Sequence, residues 1–294
     1  MIKSKVGKRL FFGSIMVGSI AGLLTFEAYA AAQNYFGMDP KYRGLFFAII
    51  LSLVALGGTA ELAKLAAKKS LNLCFVPTGF AIIAIILCPF WAPKGFASEA
   101  LAAALMAGMF LMALNQGLKK GTANTINNLA AASLAMIYLG LGSYFIISIR
   151  CLGASADSAW PQIQYVVMFL ATVKCADIGA YFTGRAIGKH KWVPSISPAK
   201  TWEGLAGGIA LSIIIAIAFA KGSGIMSVGN AIIFGAVLAI VGQLGDLLES
   251  MFKRDADLKD SASMIPEFGG FLDLIDSPVV ASPIGLLLFK LLTC

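Results

Sequence analysis

The side chains of this sequence best suited to chemistry lie between Asp246 and Asp276, a stretch holding eight of its fifteen acidic residues. On a helix, Asp246, Glu249, Ser250 and Lys253 recur at three- and four-residue steps and share one face. Arg254 and Lys259 follow, interleaved with Asp255, Asp257 and Asp260. Asp273 and Asp276 stand three apart on a short segment that Ser277-Pro278 is expected to close. A solvated charged loop accounts for Asp255 and Asp257. It accounts poorly for Asp246, Asp273 and Asp276, which are set among Leu, Ile, Phe and Gly at the ends of apolar runs. Unpaired carboxylates are expensive there and tend to be functional. Three carboxylates completed by water or phosphate oxygens suit a hard cation such as Mg²⁺. Lys253, Arg254 and Lys259, with Lys200 upstream, supply the complementary cations for phosphates. A metal and cations with no evident nucleophile are the equipment of phosphoryl or nucleotidyl transfer. The single histidine argues against a Ser-His triad or a His-based metal cluster.

A second polar block, "KCADIGAYFTGRAIGKHKWVPSISPAKTWEG", precedes these residues. Asp177 reads either as a structural acid paired with Lys174 or Arg185, or as part of a polar site at the membrane surface. "GRAIGKHK" is not a Walker loop: Gly184 to Gly188 is one residue short, and His190 follows Lys189 where a hydroxyl belongs. In "SISPAK", Ser197 is the expected N-cap and Pro198 the first helical residue, with Lys200 and Thr201 in the first turn. A lysine at the positive end of a helix dipole is unusual. Free N–H groups, a hydroxyl and an ammonium would together cradle a phosphate. The alternative is a lysine reaching lipid headgroups.

The elements that must position these groups are membrane helices. Of 294 residues, 59% are apolar and 13% charged, and the mean hydropathy is +0.84, well outside the range of water-soluble domains. Runs long enough to cross a bilayer fall at about 10–32, 44–62, 72–91, 98–116, 128–149, 164–182, 204–220, 230–248 and 278–293. The expectation is an all-α, polytopic integral membrane protein of about nine transmembrane helices. Lipid offers no partner for open backbone groups, and the alternating ten-residue segments of a barrel are missing. The first run follows Lys3, Lys5, Lys8 and Arg9 and contains "AYAAA", which resembles a signal-peptidase site. Its apolar region is long for a signal, so an uncleaved helix is expected. Two acids fall inside spans: Glu61, near a helix end, could simply reach the interface, and Glu27 has no assigned role.

With the N-terminus cytoplasmic, Lys and Arg number sixteen on the cytoplasmic side against five on the other. That is a positive-inside bias, and it makes nucleic acid an unnecessary explanation for the net charge of +8. It also turns both polar segments, 183–203 and 249–277, to the cytoplasm. Residues 1–150 then form a scaffold of about five helices, and 151–294 a catalytic region of about four. The five cysteines are scattered, with no disulfide framework or zinc site indicated.

At these residues the sequence resembles the CDP-diacylglycerol synthase family, the phosphatidate cytidylyltransferases. Ser250, Phe252, Lys253, Arg254, Lys259, Asp260, Ala262, Ile265, Pro266, Gly269, Gly270, Phe271, Asp273, Ile275 and Asp276 match that family's signature without a gap. Phe268 and Leu274 stand where it has His and Arg. The upstream block resembles the family's second recurrent motif through Asp177, Gly179, Ala180, Tyr181, Gly184, Arg185, Gly188, Lys189, Ser197, Pro198, Lys200, Thr201, Glu203 and Gly204. The resemblance implies condensation of CTP with phosphatidate to CDP-diacylglycerol and pyrophosphate, at the inner (plasma) membrane, with a divalent cation required. In that light Asp246, Asp273 and Asp276 are the expected metal ligands. Lys253, Arg254, Lys259 and Asp260 form the expected catalytic set. Ser197, Lys200, Thr201 and Arg185 are expected on substrate phosphates, and Asp177 and Glu203 orient basic residues or hold a second cation. A homodimer is a further family-level expectation. The rival readings are a related membrane lipid kinase or ether-lipid CDP synthase, and a secondary transporter with an acidic ion site near mid-membrane.

Overall fold

The computed structural model describes residues 22, 25–27, 29, 44–93, 95–152, 160–258 and 270–293. Helices dominate: α1 (Leu45–Lys68), α2 (Phe75–Ile86), α3 (Cys88–Trp91), α4 (Ala97–Lys120) and α5 (Thr125–Ala135). A π-helical segment (Met136–Leu141) carries α5 directly into α6 (Gly142–Arg150). Then come α7 (Trp160–Ile187), a hairpin of β1 (Lys191–Val193) and β2 (Ser197–Thr201), α8 (Trp202–Ser223), α9 (Val228–Asp255) and α10 (Phe271–Leu292). Among the described residues, seven helices are long and apolar enough to cross a membrane, counting Thr125–Arg150 as one. Large apolar side chains point outward from them, including Leu53, Phe110, Leu118 and Ile214, as a lipid-facing surface requires. The chain is thus an all-α, polytopic membrane protein.

Four sequence expectations change in detail. The run at 72–91 is not one helix but α2 and α3, separated at Leu87. Pro89, the second residue of α3, has no N–H to continue α2 and would crowd its last turn. The last span begins at Phe271, not 278, so Ser277-Pro278 closes nothing: Pro278 and Pro283 lie inside α10. Prolines are tolerated in a membrane helix where neighbours satisfy the freed groups, and here the Ser282 hydroxyl donates to Gly142 O and Val279 O. "SISPAK" is the second strand of a hairpin. Lys191 pairs with Thr201 and Val193 with Ser197, antiparallel, so Pro198 sits in a two-stranded ribbon with no further neighbour to miss its N–H. The N-cap is Thr201, whose hydroxyl accepts from Gly204 N at 3.1 Å. The expected span at 10–32 lies outside the described residues, save for 22, 25–27 and 29, which are helical.

Two buried acids tie together distant parts of the chain. Glu61 does not reach the interface: it is 1% exposed and accepts from the backbone N–H of Phe271 at 2.8 Å and Leu272 at 3.0 Å. It therefore supplies the cap of α10 from across the bundle, a negative charge on the positive end of a helix dipole. Glu27 forms a buried ion pair with Arg150 at 3.3 Å, which gives that acid its partner.

Glycines set the closest approaches. A Cβ on Gly208 would lie 2.7 Å from Ala176 O, so α8 packs on α7 at backbone distance. A Cβ on Gly245 would lie 2.7 Å from Asp276 O, so α9 and α10 touch beside two of the candidate acids.

Glu61→Ala removes both acceptors from α10 and is expected to cost about 1.5–3 kcal/mol of stability. Glu61→Gln, which keeps one carbonyl oxygen, is expected to lose less. Denaturation of the purified protein in detergent measures both, and equal stability of all three proteins would contradict the cap.

Candidate active site

The acids and lysines singled out by the sequence fold into one continuous network. Its acidic core is Asp246 and Glu249 on α9 with Asp276 on α10, one carboxylate oxygen from each lying within 4.8 Å of the others. Periodicity brings the first two together, since residues three apart share a helix face. The glycine contact at Gly245 brings α10 to them.

Each of these acids meets a lysine from a different place. Lys200 Nζ, on β2, lies 2.9 Å from Asp246 Oδ2 and also donates to the Gln243 side chain at 3.1 Å and the Gln243 carbonyl at 3.0 Å. Lys174 Nζ, on α7, lies 3.6 Å from Asp276 Oδ1 and 3.8 Å from Asp177 Oδ2. Lys253 Nζ, on α9, lies 2.9 Å from Glu249 Oε1 and 2.6 Å from Asp273 Oδ1. Gln243 closes the circuit by donating to Asp177 Oδ1 at 2.8 Å. Asp177 and Asp246 stand ten and nine residues before the ends of their helices. The network therefore lies about 15 Å in from those termini.

Formally the network carries five carboxylates, Asp177, Asp246, Glu249, Asp273 and Asp276, against three ammoniums, Lys174, Lys200 and Lys253. Two negative charges are left over, and burial makes uncompensated charge costly. The surplus equals the charge of one divalent cation, and the donors are the hard oxygens that Mg²⁺ prefers. The residues present thus fit a divalent cation held by Asp246, Glu249 and Asp276.

Other expected site residues fall in different places. Asp273 is not in the acidic core: one oxygen holds Lys253 and the other accepts from Gly270 N at 2.8 Å, at the start of α10. Glu203 accepts from the backbone N–H of Lys189 and His190 and pairs with the His190 ring at 2.6 Å, tying the turn after α7 to α8. Arg254 is exposed and bridges the hairpin to the end of α9 through Ile196 O and Leu258 O. Thr201 is buried in its capping role. Lys259, Asp260 and Phe268 lie outside the described residues. Ser197, Arg185, Lys200 and Asp177 line a cavity of about 480 Å³ that reaches down to Gln243 and Asp246.

Sequence reasoning placed Glu249 on the right face but gave it no ligand role, and weighed Lys174 only as a partner of Asp177. Gln243 was missed altogether. Its signal is position: three residues before Asp246 on the same helix face, a polar side chain inside an apolar run.

Residues 11–292 match the sequence model of the Cytidylyltransferase family. The chain belongs to this family. It is 33% identical over 233 residues to a phosphatidate cytidylyltransferase of Bacillus subtilis, covering 77% of this chain and 83% of that one. A phosphatidate cytidylyltransferase of Staphylococcus haemolyticus is 32% identical over 251 residues, 80% of this chain and 92% of the relative. The match to one from Haemophilus influenzae is higher, 47%, but spans 116 residues, 38% of this chain and 40% of the relative. In this cytidylyltransferase, then, the acid–lysine network belongs to a family whose name specifies transfer of a cytidylyl group, a reaction between anions.

Lys253→Met leaves Glu249 and Asp273 without their ammonium and is expected to destabilise the fold by about 3–5 kcal/mol. Adding Glu249→Gln to that variant removes one stranded charge and is expected to recover part of the loss. Unfolding in detergent reads both, and a double variant no more stable than the single one would show that Glu249 does not depend on Lys253.

Proposed function

We propose that this chain is a phosphatidate cytidylyltransferase, joining CTP to phosphatidate to give CDP-diacylglycerol and pyrophosphate. The observation that carries the reading is the pairing of family membership over nearly the whole chain with a network of five carboxylates and three lysines among membrane helices.

A phosphatidate oxygen attacks the α-phosphorus of CTP. The new P–O bond forms as the bond from that phosphorus to the bridging oxygen of the β-phosphate breaks, and pyrophosphate leaves with the electron pair. The attacking monoester is already an anion, so no strong base is required. The barrier lies in bringing two polyanions together. Lys200 and Lys253 meet it with positive charge held in place before the substrates arrive, joined by Arg254 at the end of α9 and by Lys259 of the same motif, in which Asp260 is the adjacent acid of the catalytic set. Asp246, Glu249 and Asp276 would hold a divalent cation, which when bound neutralises phosphate charge. Asp177 and Asp273 orient Lys174 and Lys253.

Residues 151–294 form the catalytic region, and 1–150 the scaffold that supports it, through contacts such as the Glu61 cap on α10. The excess of Lys and Arg beside 64–69, 119–120, 185–200 and 253–259 argues for a cytoplasmic site at the inner membrane, where CTP and the lipid headgroup meet.

Purified protein in detergent, given labelled CTP, phosphatidate and Mg²⁺, is expected to release pyrophosphate and form a CDP-lipid. Asp246→Asn and Asp276→Asn are each expected to lower the rate at least about a hundredfold, on the scale of removing one preorganised electrostatic group. EDTA is expected to abolish turnover in the unmodified protein and Mg²⁺ to restore it. A phosphorylated product from a free lipid alcohol would replace this reading with a lipid kinase.

A further inference from the structure

The cavity above the acidic core has features that cytidylyl transfer by itself does not assign. On α7, Asp177, Ala180, Tyr181, Gly184 and Arg185 share one face, since Ala180 and Tyr181 lie three and four residues after Asp177 and Gly184 and Arg185 three and four after Tyr181, and all five line it. Eight residues separate the first from the last, so the cavity runs along about 12 Å of helix. Asp177 and Asp246 mark one end of it, the floor, and Arg185, eight residues further along α7, the other end, the lip. The facing wall is the β-hairpin, with Lys191, Trp192, Ser197 and Lys200. Its volume, about 480 Å³, is within the ordinary range for small-ligand clefts, about 300–1,000 Å³.

The chemistry is graded along this length. Trp192 presents a half-buried indole, steadied by Trp202 with ring centroids 5.8 Å apart. Lys200 links the aromatic wall to the acidic floor: its Nζ is 5.7 Å from the Trp192 ring centroid and 2.9 Å from Asp246. At the lip, Arg185 donates to the Tyr181 hydroxyl at 2.9 Å, which fixes the direction of its guanidinium. A flat aromatic surface, cations along the same wall and a reacting centre at the bottom match a base attached to a polyphosphate. Acyl chains fit it less well, because they would leave Arg185, Lys191, Lys200, Gln243 and the two aspartates of this lining without polar partners.

We propose that Trp192 is the platform on which the pyrimidine ring of CTP stacks in this cavity, with the triphosphate running toward Lys200 and Arg185, which the family motif already sets on substrate phosphates. The proposal rests on the assignment of CTP as a substrate and extends it to a place and a base-binding residue. Stacking on an aromatic side chain tolerates any base, because every base has a π-face. Trp192 thus supplies affinity, and the choice of cytosine falls to polar groups on the same wall such as the Ser197 hydroxyl.

Direct binding and kinetics on the full chain in detergent test this. Equilibrium binding of radiolabelled CTP without lipid is expected to weaken about 10- to 100-fold in Trp192→Ala, and Trp192→Tyr, which keeps a ring, is expected to stay within a few-fold of the unmodified protein. In steady state the KM for CTP is expected to rise in Trp192→Ala while that for phosphatidate stays within twofold. Arg185 is exposed, so Arg185→Gln offers a test independent of folding at the hairpin: it is expected to weaken CTP at least fivefold and leave CMP unchanged. Unaltered CTP binding in Arg185→Gln or in Trp192→Ala overturns the proposal. So does a rise in KM confined to phosphatidate, which would make the cavity a lipid-headgroup site. Unmodified protein that binds CTP through Trp192 yet forms no CDP-lipid would sink the proposed reaction and leave the subsite standing. CDP-lipid formation with CTP binding indifferent to Trp192 would do the reverse.

Discussion

Five carboxylates share three ammoniums inside a bundle of apolar helices, and most of what is distinctive in this molecule follows from keeping them there. A charged group away from water must be paired, and a surplus of one sign is tolerated only where something of the opposite sign can enter. Here the surplus is negative, while the proposed substrates are themselves anions. The acids alone would repel them. The lysines alone would hold them without room for a metal. Interleaving the two lets one small volume accept a cation and a phosphate together, each offsetting the charge the other brings.

That interleaving depends on backbone proximity. Asp276 reaches Asp246 and Glu249 because Gly245 allows α10 to lie directly against α9. On the other side, small residues such as Gly208 let α8 approach α7, which carries Lys174 and Asp177, and the hairpin between them delivers Lys200. The lysines thus come from α7, β2 and α9, and no single element holds a complete pair of acid and partner cation apart from Lys174 with Asp177 and Glu249 with Lys253. Long-range assembly of this kind makes the network sensitive to helix packing far from it.

How much of this was legible in the sequence follows the range of the interactions involved. Helical periodicity within α9 placed Asp246, Glu249 and Lys253 on one face, and they are there. The apolar runs located most spans. What periodicity could not supply was the partner across the bundle. Asp273 and Asp276 are three apart, yet one turns to Lys253 and the other to the acidic core, a distinction set by how α10 packs against α9 and invisible in spacing. Glu61 is the extreme case: it caps a helix 210 residues further along the chain. The hairpin was misread for a local reason. Ser197 and Thr201 are both good N-caps, and Ser197-Pro198 carries the stronger textual signal of a helix start. Thr201 prevails because it directly precedes the run from Trp202, and the polar residues before it gain more by pairing with β1 than by extending a helix that would have to leave the bundle.

The hairpin also moves the helix start from Ser197, where the sequence suggested a phosphate cradle, to Thr201. Trp202 N donates to His190 O at 3.0 Å and Gly204 N to Thr201, so these two N–H groups of the first turn are already engaged. Positive charge reaches the cavity instead through side chains, chiefly Lys200 and Arg185. A helix N-terminus can offer an anion only the fixed direction of its dipole, whereas a lysine on a strand can hold an aspartate until a phosphate arrives and then exchange one oxygen for another. For the proposed meeting of a cation, a nucleotide and a lipid headgroup, the second arrangement gives each of the three core carboxylates a lysine partner before the substrates enter.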